Sequence, residues 1–250
     1  MTTILKLGGS VVTHKDQPET IDWETLNSVV DTIAGRVAST AEDFVAVHGA
    51  GSFGHHYAAK HGVSNTAGTH DASALSAIHA AMTELNGAIV DTFQDQGVSA
   101  LPVQPLSVAH RDESGRLSHP SEQISAMLGE GFVPVLHGDV IAHEGAGATI
   151  LSGDDVVVSL AASLDAQRVG LCSTVPGVLD DDGAVIPEIE SYADVSHVLG
   201  ESESTDVTGG MAGKVRTLLD LEAPAAIFDP DDLGGFLEGE SVGTIVRGGR

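Results

Sequence analysis

Hydrophobic and polar positions along this chain switch repeatedly between two patterns: the short apolar run of a buried strand and the three-to-four spacing of an amphipathic helix. Thr2 to Leu7 predicts a first strand. Trp23 to Ala38 predicts a helix, with Leu26, Val29, Val30, Ile33 and Val37 on one stripe and Asp22 placed to cap its N-terminus. Phe44 to His48 predicts a second strand. His70 to Gln96 predicts a long helix whose stripe is Leu75, Ile78, Met82, Leu85, Ile89 and Phe93. Val98 to Val103 is a third strand, and Val108 to Leu117 reads as a hairpin around Asp112-Glu113-Ser114-Gly115. A helix over Ser121 to Leu128 precedes a strand over Phe132 to Leu136 that ends in His137-Gly138-Asp139. A second hairpin turns around Glu144-Gly145-Ala146-Gly147.

The alternation continues to the end. Asp154 to Leu164 predicts a helix, Gln167 to Cys172 a strand, Pro176-Gly177 a turn, and Asp180 to Ile186 a glycine turn. Tyr192 to Leu199 predicts a short helix and Glu201 to Val207 a polar loop. Helix, strand, helix and strand follow at Met211 to Glu222, Ala225 to Phe228, Asp231 to Leu237 and Gly243 to Val246. Strands alternating with helices imply an α/β fold with a mainly parallel sheet covered on both faces. Ligands of such sheets bind where strand C-termini meet helix N-termini.

One junction of that kind organises the rest. The run Phe44 to Val47 feeds into His48-Gly49-Ala50-Gly51-Ser52-Phe53-Gly54-His55. Its glycines allow a tight turn and close approach to a ligand. Backbone N–H groups at the start of a helix attract anions. His55 can donate a hydrogen bond to a phosphate oxygen.

Charge sharpens the picture. The 250 residues carry 11 Lys+Arg against 36 Asp+Glu, a net charge of −25. Such a surface disfavours nucleic acid and anionic membranes as partners and suits high salt, where the Debye length falls to roughly 3 Å. The 42% of hydrophobic residues supplies a core, and with only 4% aromatic residues aliphatic and alanine packing must dominate it. A single cysteine, Cys172, rules out an intrachain disulfide and fits a reducing, cytoplasmic setting. The chain starts directly in a strand, without a signal peptide, and no apolar run reaches the length of a membrane span.

In a chain that avoids lysine, the ones present are informative. They are Lys6, Lys15, Lys60 and Lys214. Lys6-Leu7-Gly8-Gly9-Ser10 places a lysine on a strand and glycine amides at its end, a cradle for phosphate, with Lys15 shortly after. Val207-Thr208-Gly209-Gly210-Met211-Ala212-Gly213-Lys214 opens a helix with glycines and puts Lys214 in its first turn. A cation there opposes the helix dipole unless an anion is bound. Lys60 reads as a surface residue. Ser152-Gly153-Asp154-Asp155 places carboxylates at a helix start, either as ordinary caps or with Asp154 orienting the lysines or holding a nucleotide's metal. Asp139 is a weaker candidate of the same kind. No spacing matches a Walker A loop, a dinucleotide fingerprint, a zinc site or an acyl-enzyme serine elbow, and no metal ligands are assigned. Most of the twelve histidines, including His110, His119 and His197, read as surface residues.

Together these segments resemble the amino acid kinase superfamily across essentially the whole chain. Within it, His48-Gly-Ala-Gly-Ser-Phe-Gly-His55 is similar to the isopentenyl phosphate kinases. The resemblance implies a three-layer αβα sandwich forming a single domain over 1–250. An acceptor-binding lobe would span 1–165 and a nucleotide-binding lobe 166–250. It implies a homodimer that uses ATP and Mg²⁺ to phosphorylate isopentenyl phosphate in an archaeal mevalonate route to isoprenoids. Lys6, Gly8, Gly9 and Ser10 would line the ATP phosphates, and Gly51, Gly210 and Lys214 would also contact ATP. Lys15 would stabilise the transition state. Ala50, His55 and Gly153 would contact the acceptor. Thr174 and Gly177 stand where relatives place adenine or ribose contacts, but Cys172-Ser-Thr-Val-Pro-Gly177 lacks the usual aspartates. The alternatives are a different phosphate, phosphonate or carboxylate acceptor in the same superfamily, or a nucleotide sensor without turnover.

Overall fold

The computed structural model describes residues 1–199 and 210–248. Strand β1 (Thr2–Leu7) passes through Gly8 into a single helical turn, α1 (Gly9–Val12), followed by α2 (Trp23–Ser39) and β2 (Asp43–His48). Helices α3 (Gly51–His61) and α4 (Ala72–Asp95) come next, then β3 (Ala100–Pro102), β4 (His110–Arg111) and β5 (Leu117–Ser118). The middle of the chain forms α5 (Glu122–Gly129), β6 (Val133–His137), β7 (Asp139–His143), β8 (Gly147–Leu151) and α6 (Gly153–Ser163). The last part forms β9 (Arg168–Cys172), β10 (Glu188–Ile189), α7 (Ser196–Leu199), α8 (Gly210–Leu218), β11 (Ala225–Phe228), α9 (Leu233–Glu238) and β12 (Thr244–Val246). The polar loop expected over Glu201 to Val207 lies outside the described residues, as do Thr208 and Gly209.

Eight strands form the main sheet in the order β10-β12-β11-β9-β1-β2-β6-β3. All adjacent pairs are parallel except β11 with β12. Strand alternation divides the core into two layers. Leu5, Leu7, Phe44 and Ala46 face α2, α4 and α9, whereas Ile4, Val45 and Val47 face α6 and α8. The two clusters are the two interfaces of a three-layer αβα sandwich. Lys6 shares the face of Ile4, so the side-chain period of two aims it at α6.

Sequence and structure differ where local chemistry intervenes. The predicted third strand shrinks to Ala100–Pro102 at the sheet edge, where a proline without an N–H is tolerated. The helix expected over Asp231 to Leu237 begins as a 3-10 turn at Pro230 before α9. The helix expected over Tyr192 to Leu199 is a 3-10 turn, Tyr192–Asp194, followed by α7. The two hairpins join into a second sheet, β5-β4-β7-β8, because β4 pairs in parallel with β7. Gly138 is the corner at which the chain leaves the main sheet for this small one.

Candidate active site

The central strands β1, β2, β6 and β9 end at the same rim of the sheet, and a cavity of about 270 Å³ opens there. The N-terminal ends of α1, α3, α6 and α8 all contribute to its wall through Gly9, Gly51, Gly153 and Gly210. The backbone dipoles at these helix starts therefore favour negative charge in this space. Lys6, Lys15 and Lys214 line it too, while Lys60 does not; its ammonium sits 5.7 Å from the Tyr57 ring centroid.

Asp154 holds two of the lysines. Lys6 Nζ lies 2.5 Å from Asp154 Oδ1, and Lys214 Nζ lies 3.4 Å from Oδ2. Burial alone would raise the Asp154 carboxyl, but the Lys6 and Lys214 ammoniums outweigh it and hold it below the usual carboxylate range. Burial is also the largest influence on Lys6, lowering it against the pull of Asp154. The carboxylate's direction decides the charge state at neutral pH, and the contact is that of a charge-assisted hydrogen bond. The capping position belongs to the neighbours of Asp154: Ser152 accepts from Asp155 N at 3.0 Å, and Asp155 accepts in return from Ser152 N. Arg111 of β4 reaches Asp155 at 3.1 Å and so ties the small sheet to the start of α6.

Close backbone approach explains the glycines. A Cβ on Gly9 would lie 2.1 Å from Gly51 N, and one on Gly49 would lie 2.6 Å from Gly9 N. The two glycine loops are thus pressed together, with Gly51 at φ +51. Thr13 stitches them: its hydroxyl donates to Gly9 O and accepts from Ser52 N. Gly9→Ala is expected to cost about 1–3 kcal/mol in thermal denaturation. Gly35→Ala, in α2 with nothing within 4 Å of its Cβ position, serves as the control; it is expected to gain about 0.5–1 kcal/mol.

Helix α3 presents Gly51, Gly54, His55 and Ala58 to the cavity, one stripe at helical spacing. Ala58 packs with Ile78 of α4 and Ile150 of β8, an apolar cluster, while Met82 of α4 lies against Gly54, where a Cβ would meet its sulfur at 2.5 Å. Opposite, Ser10, Ala50, Gly153 and Thr174 complete the wall.

Gly8 lines the cavity as well, but Gly177 is not brought to it. Gly177 packs against β12 instead, where a Cβ would sit 2.6 Å from Thr244 Oγ1. Lys214 stands in the second turn of α8, because the helix begins at Gly210, earlier than its sequence pattern predicts. Asp139 lines the cavity, but its carboxylate pairs with His79 Nδ1 at 2.8 Å. Burial pushes the Asp139 carboxyl up.

The reading of most histidines as surface groups is corrected in part. His48, His119 and His137 are buried, while His110 and His197 are exposed. His48 and His137 sit at the ends of β2 and β6, inside the sheet. The dipeptide His-Gly after an apolar run, present twice, was the available signal.

The sequence pattern of the Amino acid kinase family matches residues 1–224. The chain is 60% identical over 245 residues to an isopentenyl phosphate kinase of Haloferax volcanii, covering 98% of each chain. It is 31% identical to one of Methanocaldococcus jannaschii, again covering 98% of each. A solved structure titled "X-ray structures of isopentenyl phosphate kinase" superposes with a TM-score of 0.84 at 28% identity, over 98% of this chain and 100% of that one.

Proposed function

Since the chain belongs to the amino acid kinase family, we propose that it transfers the γ-phosphoryl group of ATP to isopentenyl phosphate, giving isopentenyl diphosphate and ADP. One observation carries the choice of acceptor: lysines and apolar side chains line the same cavity, and on α3 His55 stands between Gly51, at the helix start, and Ala58, which packs with Ile78 and Ile150. An acceptor lying along α3 would set its phosphate at His55 and its isoprenoid tail against Ala58, Ile78, Met82 and Ile150. The 60% identical relative bears the same name as this activity.

Residues 1–165 hold the acceptor in this reading and 166–250 the nucleotide, with Lys6 and the amides around Gly8, Gly9 and Ser10 serving the transferred group from the first lobe. Gly51, Gly210 and Lys214 contact ATP, Thr174 lies at the nucleotide end, and Ala50 and Gly153 contact the acceptor. An acceptor phosphate oxygen attacks the γ-phosphorus in line. The bond to the bridging oxygen breaks, and its electron pair leaves with ADP. The acceptor is already ionised, so no strong base is required. The barrier is mutual repulsion of two anions inside a protein of net charge −25. Lys6, Lys15, Lys214 and His55 offset that repulsion locally, and the helix amides are oriented before the reactants arrive.

Among the described residues, no group of three or more His, Cys, Asp or Glu side chains is placed to hold a metal ion. Asp154 is already engaged by two lysines. Mg²⁺ would arrive bound to the nucleotide phosphates, where it would neutralise charge. The reading includes a homodimer, for which light scattering is the test, acting in the cytoplasm.

The decisive experiment is ADP release in molar KCl with Mg²⁺ and a panel of acceptors: isopentenyl phosphate, fosfomycin, N-acetylglutamate and aspartate. Turnover is expected with isopentenyl phosphate and is expected to stop when Mg²⁺ is withheld. Faster turnover of the phosphonate or a carboxylate would overturn the acceptor assignment. Nucleotide binding with no turnover on any acceptor would leave a sensor.

A further inference from the structure

Beneath the acceptor wall lies a buried pair that the reaction as described does not use. His48 and His137 are register partners on the neighbouring strands β2 and β6, each the last residue of its strand. Their rings stack with centroids 5.4 Å apart. Each is followed by a glycine that lines the cavity, Gly49 and Gly138. Each also makes the same contact: His48 Nδ1 lies 3.0 Å from Gly49 O, and His137 Nδ1 lies 2.8 Å from Gly138 O.

We propose that His48 and His137 are positioning residues for phosphoryl transfer, paired neutral rings whose Nδ1–H groups fix the two glycine corners of the acceptor wall. The inference rests on the kinase reading above and deepens it. A carbonyl oxygen only accepts, so each Nδ1 carries the proton. For His48 the opposite nitrogen agrees. Asn86 Nδ2 lies 3.1 Å from His48 Nε2 and, being a donor, requires Nε2 to accept. Asn86 Nδ2 also reaches Val135 O at 3.3 Å, which fixes the amide's orientation. Burial, helped by His137 and Lys6, pushes His48 down to about 3; burial, helped by His79, also lowers His137 against the pull of Asp139 at 4.0 Å, so both rings remain neutral donors.

The two corners are mechanically linked. Gly138 N donates to His48 O at 3.2 Å. A Cβ on Gly153 would lie 3.2 Å from His48 O, and one on Gly138 would lie 3.1 Å from Gly153 N. The first residue of α6, next to Asp154, therefore rests against both. A rotation of either glycine peptide would displace the acceptor wall and the start of α6 together. Misplacements of about 1 Å can cost on the order of 100-fold in rate.

The test uses an isosteric contrast. The Asn side-chain nitrogen reaches the position of His Nδ1, and the Gln nitrogen that of Nε2. His48→Asn and His137→Asn are expected to stay within about threefold of wild-type kcat. His48→Gln and His137→Gln are expected to lose about tenfold to a hundredfold in kcat, with KM for ATP little changed. Equal losses for Asn and Gln, or wild-type kcat in both Gln variants, would overturn the proposal. A second measurement needs no variant and no substrate. ¹⁵N spectra of the wild-type rings are expected to show the neutral Nδ1–H tautomer for both, even at a pH below the ordinary imidazole value of 6.5. An Nε2–H tautomer would refute it. Because kcat is read with whichever panel acceptor the wild type uses, a wrong acceptor assignment and a wrong role for the histidines give different results.

Discussion

Asp154→Ala is expected to lower the stability of the fold by about 3–5 kcal/mol and to depress kcat by about 100-fold or more. Lys6 is 5% exposed, and its ammonium has Asp154 as its ion-pair partner. Removing that partner leaves a buried charge uncompensated. It also removes the anion that separates Lys6 from Lys214, whose positive charge already acts against that of Lys6. Both lysines line the cavity, so the change acts on stability and turnover through the same groups. Molar KCl should not rescue the variant, because salt screens a buried pair far less than a surface one. The pH dependence has a definite sign. The folded carboxyl lies below its ordinary value of 3.8, so its contribution is complete above that value and is lost as pH falls through the folded one. The stability gap between wild type and variant should be flat from neutral to mildly acid pH and close in strong acid. Asp154→Asn keeps the shape and hydrogen-bonding capacity and should fall between the two. Urea denaturation across pH measures all three. A wild-type-like alanine variant at pH 7 would show that the pair does not hold the site together.

Much of this architecture was legible in the sequence, because the deciding interactions are local. Strand runs and helical stripes specify β1, β2, α2 and α4. Capping by Asp22 is seen as expected, with Thr25 N donating to it at 3.0 Å. The scarcity of lysine singled out Lys6, Lys15 and Lys214, which line one cavity. What escaped depends on contacts between distant segments. Nothing near Gly177 reveals that Thr244, in the last strand, will press on it. The parallel pairing of β4 with β7 needs both hairpins in place. His79 lies on a helix stripe beside Ile78 and gives no sign that Asp139 will meet it. His48 and His137 look like solvated strand ends until the sheet places them side by side.

His55→Ala is expected to reduce kcat with isopentenyl phosphate by about 10²–10³-fold, or about 2.7–4 kcal/mol of transition-state stabilisation, while ATP binding stays near wild type. His55 is four residues after Gly51 and three before Ala58 on the face of α3 that lines the cavity. One helical turn therefore separates it from the amides at the start of α3 on one side and from the apolar side chains around Ala58 on the other. An acceptor with a phosphate head and an isoprenoid tail needs a donor at that level of the helix. A nucleotide held, as proposed, by Gly8, Gly9, Gly210 and Lys214 does not. The two ligands should respond differently: calorimetric ATP affinity unchanged, acceptor turnover lost. His55→Gln retains a donor and should recover part of the rate. Reducing the apolar cluster around Ala58 alone, with Ile78→Ala, should instead raise KM for the acceptor with a smaller effect on kcat, because tail contacts act on ground and transition states alike. Full turnover in the alanine variant would remove His55 from the mechanism and leave the choice of acceptor to the shape of the apolar pocket. Weakened ATP binding in that variant would put the histidine on the nucleotide side and reverse the orientation of the two reactants along α3.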